Sequence, residues 1–213
     1  MKKTDDKERK LTKAEQKRME NFDSVKTSFL ENGYEMKEHT LGIVYANVIA
    51  FFVSFPFMAP VIALFILFHR ASIIEIFDYS RIWFFLPAYI IAVVLHEAVH
   101  GVTWGLFAKN HFKSINFGLM KEMLTPYCTC SEPLEKRHYI LGSLMPLFLI
   151  GYLPAVIGVF TSQGWLFLLG IIMILGAGGD IIITYRMLRY KSEKKETVYF
   201  DHPVKCGFIT FEK

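Results

Sequence analysis

The stretch IWFFLPAYIIAVVLHEAVHGVTWGLFA, Ile82–Ala108, decides how the rest of the chain is read. At about 1.5 Å of rise per residue it is long enough to cross the roughly 30 Å hydrocarbon core of a bilayer as one helix. Glu97 is its one acidic or basic residue. Three further apolar runs follow the same rule: Leu41–Phe68, Tyr139–Phe160 and Gly164–Tyr185, in which Asp180 is the single charge. Backbone groups in lipid must be satisfied within their own segment, so runs of this length are expected as helices rather than barrel strands. The sequence therefore predicts an all-α integral membrane protein with four transmembrane helices, at 41–68, 82–108, 139–160 and 164–185. Pro56, Pro60, Pro87, Pro146 and Pro154 lie inside these runs and predict kinks.

Outside the runs the composition reverses. The chain of 213 residues is 53% hydrophobic and 21% charged, figures that coexist only if charge and hydrophobicity are segregated along it. Of the 24 Lys+Arg and 20 Asp+Glu, all but Glu97 and Asp180 fall outside the four runs. Residues 1–40 form a charged, amphipathic N-terminal arm with ten Lys/Arg and nine Asp/Glu, and 186–213 form a C-terminal tail. Counting Lys and Arg in the connecting segments gives a 22-to-2 asymmetry, which predicts a multi-pass protein of the cell membrane with both termini cytoplasmic. The net charge of +4 is then a topology signal, and no nucleic-acid partner is expected from it. The first apolar run begins forty residues in and exceeds a signal-peptide core, so no removable signal is expected.

In the arm, Thr12 and Glu15 have capping-box spacing, and Met19, Phe22, Val25 and Phe29 trace one helical face. Such a helix is expected either at the membrane surface or in solvent. Asn32-Gly33 marks a turn before the first run. The segment 112–130, with β-compatible residues around Gly118 and Pro126, predicts a small β-hairpin, and the tail has strand-like runs broken at His202-Pro203 and Gly207. Cys128, Cys130 and Cys206 are too few for a disulfide framework, and an isolated Cys-x-Cys lacks the second half of a zinc pattern. They read as reduced, incidental thiols.

Inside the runs the ionisable residues are four: His96, Glu97, His100 and Asp180. Such groups cost at least a few kcal/mol in a bilayer and mark functional sites by default. Three of them form one motif, His96-Glu97-Ala98-Val99-His100, an H-E-x-x-H. On a helix, i and i+4 share a face, so two neutral imidazoles can ligate one metal ion while Glu97, about 100° round, stands beside it as a general base. A catalytic zinc takes three protein ligands and an open position. Asp180 supplies the third if depths match: residue 98 is 16 residues below Ile82 and Asp180 is 16 below Gly164, about 24 Å in each case. Gly176, Gly178 and Gly179, with Gly101 and Gly105, are expected to let these two helices approach. Asp201 and His202 are rival ligands in type, but belong to the tail. His39, His69, His111 and His138 sit at run edges or in loops and read as surface histidines.

On these residues the chain resembles the intramembrane zinc metalloproteases of the site-2 protease type and, more closely, a small bacterial family of zincin membrane peptidases. The resemblance rests on His96, Glu97 and His100 for the zinc helix and on Gly-Ala-Gly-Gly-Asp180 for the distal aspartate; it covers roughly 82–185 and extends weakly into the Asp201-His-Pro tail. Site-2 proteases carry Asn-Pro-Asp-Gly or Leu-Asp-Gly at the aspartate, where this chain has Gly-Gly-Asp180-Ile. The resemblance implies a three-helix zinc metalloprotease core in the second to fourth spans and cleavage of membrane-protein or peptide substrates within the lipid bilayer. It implies Zn2+ held by His96, His100 and Asp180, activating a water from which Glu97 takes the proton, later passed to the leaving amine. The competing class is a metal or proton transporter using the same His/Glu/Asp cluster. A transporter would spread polar residues along a path, whereas here they gather at one level.

Overall fold

The computed structural model describes residues 12–69, 80, 82–120 and 125–213 of a mostly helical chain. The capping box predicted at Thr12 starts helix α1, Lys13–Glu31: the Glu15 N–H donates to the Thr12 hydroxyl at 3.3 Å, and the Thr12 N–H donates to the Glu15 carboxylate at 2.8 Å. The apolar face of α1 rests on protein rather than on a membrane or in solvent. Phe22 is buried with its ring 5.4 Å from Phe200 and 6.4 Å from Phe211.

Those partners belong to a three-stranded antiparallel sheet that joins arm to tail. Its strands are β1, Glu35–Leu41, with β4, Thr197–Asp201, and β5, Cys206–Glu212, in the order β1-β5-β4. The register sets Met36 opposite Phe211, and Thr210 opposite both Lys37 and Tyr199. Three charged residues in Glu35-Met-Lys-Glu38 hide β1 as a strand, yet its apolar partner β5 completes the ladder.

The apolar runs form helices α2, Ile43–His69, and α3, Ile82–Phe107; then α4, Lys136–Pro146, which passes through a π-helical stretch, Leu147–Tyr152, into α5, Leu153–Phe160. Next come α6, Gly164–Gly176, and α7, Gly178–Arg189, bent by 44° at the break between them. Three helical stretches are long and apolar enough to cross a membrane by length and composition, and a fourth if the bent pair counts as one span. Only 17%, 11% and 33% of their most apolar windows is buried by protein, so the remaining apolar surface calls for a lipid environment. Pro56, Pro60 and Pro87 lie inside helices that continue through them, and the hydrogen-bond pattern changes only after Pro146. His69, expected at a surface, is buried with Nε2 2.8 Å from the Val159 carbonyl.

The all-α expectation is corrected by the sheet described above and by an antiparallel hairpin, β2, Ile115–Met120, and β3, Thr125–Cys130, which falls inside the predicted 112–130 segment. The glycines do not work as expected. A Cβ at Gly101 would lie 2.5 Å from the Phe117 ring and one at Gly105 2.7 Å from Phe112, so these two positions on α3 admit aromatics of the hairpin region. At Gly178 a Cβ would lie 2.4 Å from the Ala50 carbonyl, so this glycine seats α7 on α2 and not on α3. Behind that contact Val61 and Phe65 of α2 pack on Phe167 and Ile174 of α6, with the Phe65 and Phe167 rings stacked at 3.9 Å.

Candidate metal centre

His96 and His100 stand one turn apart on α3, both buried, with ring centroids 4.9 Å apart. The break after α6 begins a new helix, and Asp180 falls in its first turn, where the helix dipole favours a carboxylate. Each imidazole faces one Asp180 oxygen: His96 Nε2 lies 3.2 Å from Oδ2 and His100 Nε2 3.4 Å from Oδ1. Ligand atoms of all three residues lie within 4.8 Å of one another, the one such group of three or more found among the described residues. For ligands about 2.05 Å from a tetrahedral zinc, neighbouring donor atoms are separated by about 3.3 Å, so the spacing fits such an ion.

The hydrogen bond behind His100 fits it as well, while His96 Nδ1 is buried with no partner among the described residues. His100 Nδ1 lies 2.8 Å from the Gly142 carbonyl, which can only accept, so Nδ1 carries a proton. In the neutral ring the Nε2 lone pair then faces a carboxylate oxygen, an arrangement that a metal ion between the two would satisfy. The Trp104 indole stacks on His100 at 5.0 Å and donates from Nε1 to the Tyr139 carbonyl at 3.1 Å. Gly142 makes room for that indole: a Cβ there would lie 2.1 Å from Trp104 Nε1. Gly176 and Gly179 line the cavity at the site, and a Cβ on either would meet nothing within 4 Å, so this side stays open.

Glu97, the next residue on α3, turns toward β3. Ser131 N–H donates to the Ser114 carbonyl, which makes 114/131 a hydrogen-bonded pair and turns the N–H groups of Cys128 and Cys130 outward from the hairpin. The first reaches the Glu97 carboxylate. The second donates to Asp201 Oδ2 at 2.9 Å, and the Tyr139 hydroxyl donates to the other oxygen of Asp201.

Residues 89–194 match a family model described as "Putative zincin peptidase". The matched stretch, just under half of the chain, contains His96, Glu97, His100 and Asp180. The likeness to a zincin peptidase supports a metallopeptidase and implies zinc as its cofactor. No curated protein and no solved structure matches the chain.

Two cavities meet at His96 and Glu97. One, about 630 Å³, is lined by His96, Glu97, His100 and Asp180 and, from the tail, by Asp201 and His202. The other, about 570 Å³, is apolar, lined by Tyr89, Ile90 and Val93 of α3 and Ile172 and Met173 of α6, and shares His96 and Glu97 with the first. Asp201 and His202 thus stand in the cavity wall, outside the three-residue donor group. Burial pushes the Asp201 carboxyl up against its two hydrogen bonds. Cys128 and Cys130 are buried free thiols that also stand outside the donor group. Burial pushes Cys130 up to about 12 and raises Cys128 as well, so neither is a ready thiolate. Sequence reading missed Trp104, Tyr139, Gly142 and the inward role of Asp201. Of these only Trp104 left a signal, standing four residues after His100 on the same helical face.

Proposed function

We propose that the chain is a zinc-dependent intramembrane metalloprotease that hydrolyses peptide bonds of membrane-protein substrates. In this reading α6 and α7 form the fourth span, both termini are cytoplasmic, and His96, His100 and Asp180 hold the ion. The observation that carries it is the position of Glu97, where the cavity lined by the three-ligand group meets the apolar cavity between α3 and α6. Zinc bound there would supply Lewis acidity and a lowered pKa for water. Glu97 accepts the proton of the attacking water and returns it to the leaving amine nitrogen. The Cys128 N–H steadies its carboxylate in that position. His100 is kept in the tautomer that presents Nε2 by its bond to Gly142, and Asp180 keeps 22% of its side chain exposed, leaving an approach for the scissile bond.

The apolar cavity between α3 and α6 is the route by which a membrane segment reaches Glu97. The unwound segment adds as a strand to the hairpin. The outward donors of β3 are taken by Glu97 and Asp201, while the Phe117 and Leu119 backbone on the outer edge of β2 makes no such bond among the described residues. That edge is therefore the one assigned to substrate. The test is metal content and cleavage of a membrane-embedded peptide by the wild type and by Glu97→Gln. Retained zinc with cleavage lost is expected; undiminished cleavage would remove Glu97 as the base. Phe117→Pro removes both the outward N–H of the β2 edge and the ring seated on Gly101, whereas Phe117→Ala removes the ring alone, so with zinc content retained in both, lower cleavage by Phe117→Pro than by Phe117→Ala is expected.

A further inference from the structure

A pocket of about 270 Å³ opens between α1, the β2–β3 hairpin and the turn after β4. It shares Arg18, Tyr127, Thr129 and Asp201 with the metal-centre cavity, so a chain leaving that cavity on this side meets the pocket next. Three cations line it, Lys17, Arg18 and Lys113, and none is ion-paired with a carboxylate among the described residues. The one carboxylate in the wall, Asp201, already accepts from Tyr139 and Cys130. The Arg18 guanidinium lies 4.3 Å over the Tyr127 ring, which holds it in place, and its Nε is buried with no hydrogen-bond partner among the described residues. A buried guanidinium donor left unmade costs free energy that an incoming anion recovers.

We propose that this pocket is a subsite for acidic side chains, Asp or Glu, in the substrate segment that flanks the scissile bond on the side of the arm and tail. The proposal rests on the protease reading for its substrate. The occupant is peptide rather than lipid because the pocket borders the catalytic cavity and includes Phe117 of the β2 edge assigned to substrate, and because its cations surround a recess instead of a flat face. Arg18 provides the fixed, planar donor, while Lys17 and Lys113, both exposed, add charge at the rim.

The test uses full-length protein carrying Glu97→Gln, so that binding is read without turnover. Fluorescence anisotropy compares a labelled leucine-rich peptide ending in Asp-Glu-Asp with the same peptide ending in Asn-Gln-Asn. The acidic peptide is expected to bind about tenfold more tightly, the sum of a few partly exposed charge pairs. That preference is expected to fade with added salt and to vanish in Lys17→Glu/Lys113→Glu. Arg18→Gln, which keeps a polar group over Tyr127, gives an independent arm and is expected to lower the preference. Equal affinities, or a preference that survives the reversals, overturn the proposal. So does loss of adsorption to phosphatidylserine vesicles with the peptide preference intact, since the cations would then serve the membrane. Unmutated protein that cleaves both peptides equally overturns the subsite and leaves the protease reading standing.

Discussion

The hydroxyl of Tyr139, in the first turn of α4, donates to the carboxylate of Asp201 at the end of β4. Through this bond the tail reaches the metal centre in two steps, because the Tyr139 carbonyl accepts from Trp104, whose indole stacks on His100. The same carboxylate holds β3 through Cys130, and the neighbouring outward donor of β3 holds Glu97. Arm, tail and hairpin are thus the outer support of a site whose reactive groups stand on α3 and α7.

Asp201→Ala leaves the Tyr139 hydroxyl and the Cys130 N–H without their acceptor. At about 1–3 kcal/mol for each orphaned group, a loss of about 2–6 kcal/mol is expected in detergent unfolding experiments. Asp201→Asn keeps an acceptor oxygen and is expected to recover part of it. A midpoint for Asp201→Ala equal to wild type would mean that the tail does not brace the site.

Gly142→Ala drives a methyl into the Trp104 indole and disturbs the stack on His100 as well as the carbonyl that fixes its tautomer. Outer partners of metal-ligating histidines are worth about 10- to 100-fold in affinity. Competition with a chelator is expected to show zinc binding weakened in that range, while the helical content of the chain stays near wild type.

Asp180→Asn removes the anionic donor but preserves size. Loss of a direct ligand is expected to exceed the loss of an outer one, so zinc affinity falls by about 100-fold or more. Tight zinc binding by this variant would exclude Asp180 from the centre.

Glu212 sits buried in the arm–tail sheet, taking hydrogen bonds from Tyr190, from Lys37 at 2.9 Å and from Thr210 at 2.9 Å. Burial pushes its carboxyl up, but these bonds outweigh burial and hold it at about 2, and the same pairing raises Lys37 to about 12. A carboxyl below its ordinary value of about 4.3 contributes stability that is present above that pH and lost as pH falls through the folded value. Unfolding midpoints measured from about pH 5 down to about pH 2 are expected to drop, and Glu212→Gln is expected to flatten the drop. Parallel curves for the two proteins would show that the network does not hold the sheet.

The apolar helices and the spacing of the site were legible because both are local properties. A run of apolar residues and an i, i+4 pair are read without knowing what packs on them, and Asp180 followed from counting residues along two helices of similar length. The break at Ala177 was not predicted, since 164–185 reads as one apolar run and its glycines as a packing surface. Gly178 meets α2, while Gly101 and Gly105 receive Phe117 and Phe112, because a glycine states only that something comes close. Strand β1 was missed because its charged residues conceal a ladder that only β5 completes.

By itself, the sequence determined that the chain contains apolar helices of membrane-spanning length and that His96, Glu97 and His100 share one turn of such a helix, since burial in lipid and helical periodicity act along the chain. Only the tertiary structure decided that Asp180 offers one oxygen to each histidine, that β3 holds Glu97, and that Asp201 folds back to Tyr139. Those are contacts between segments far apart in the sequence, set by how the sheet, the hairpin and the bent α6–α7 pair close around one cavity.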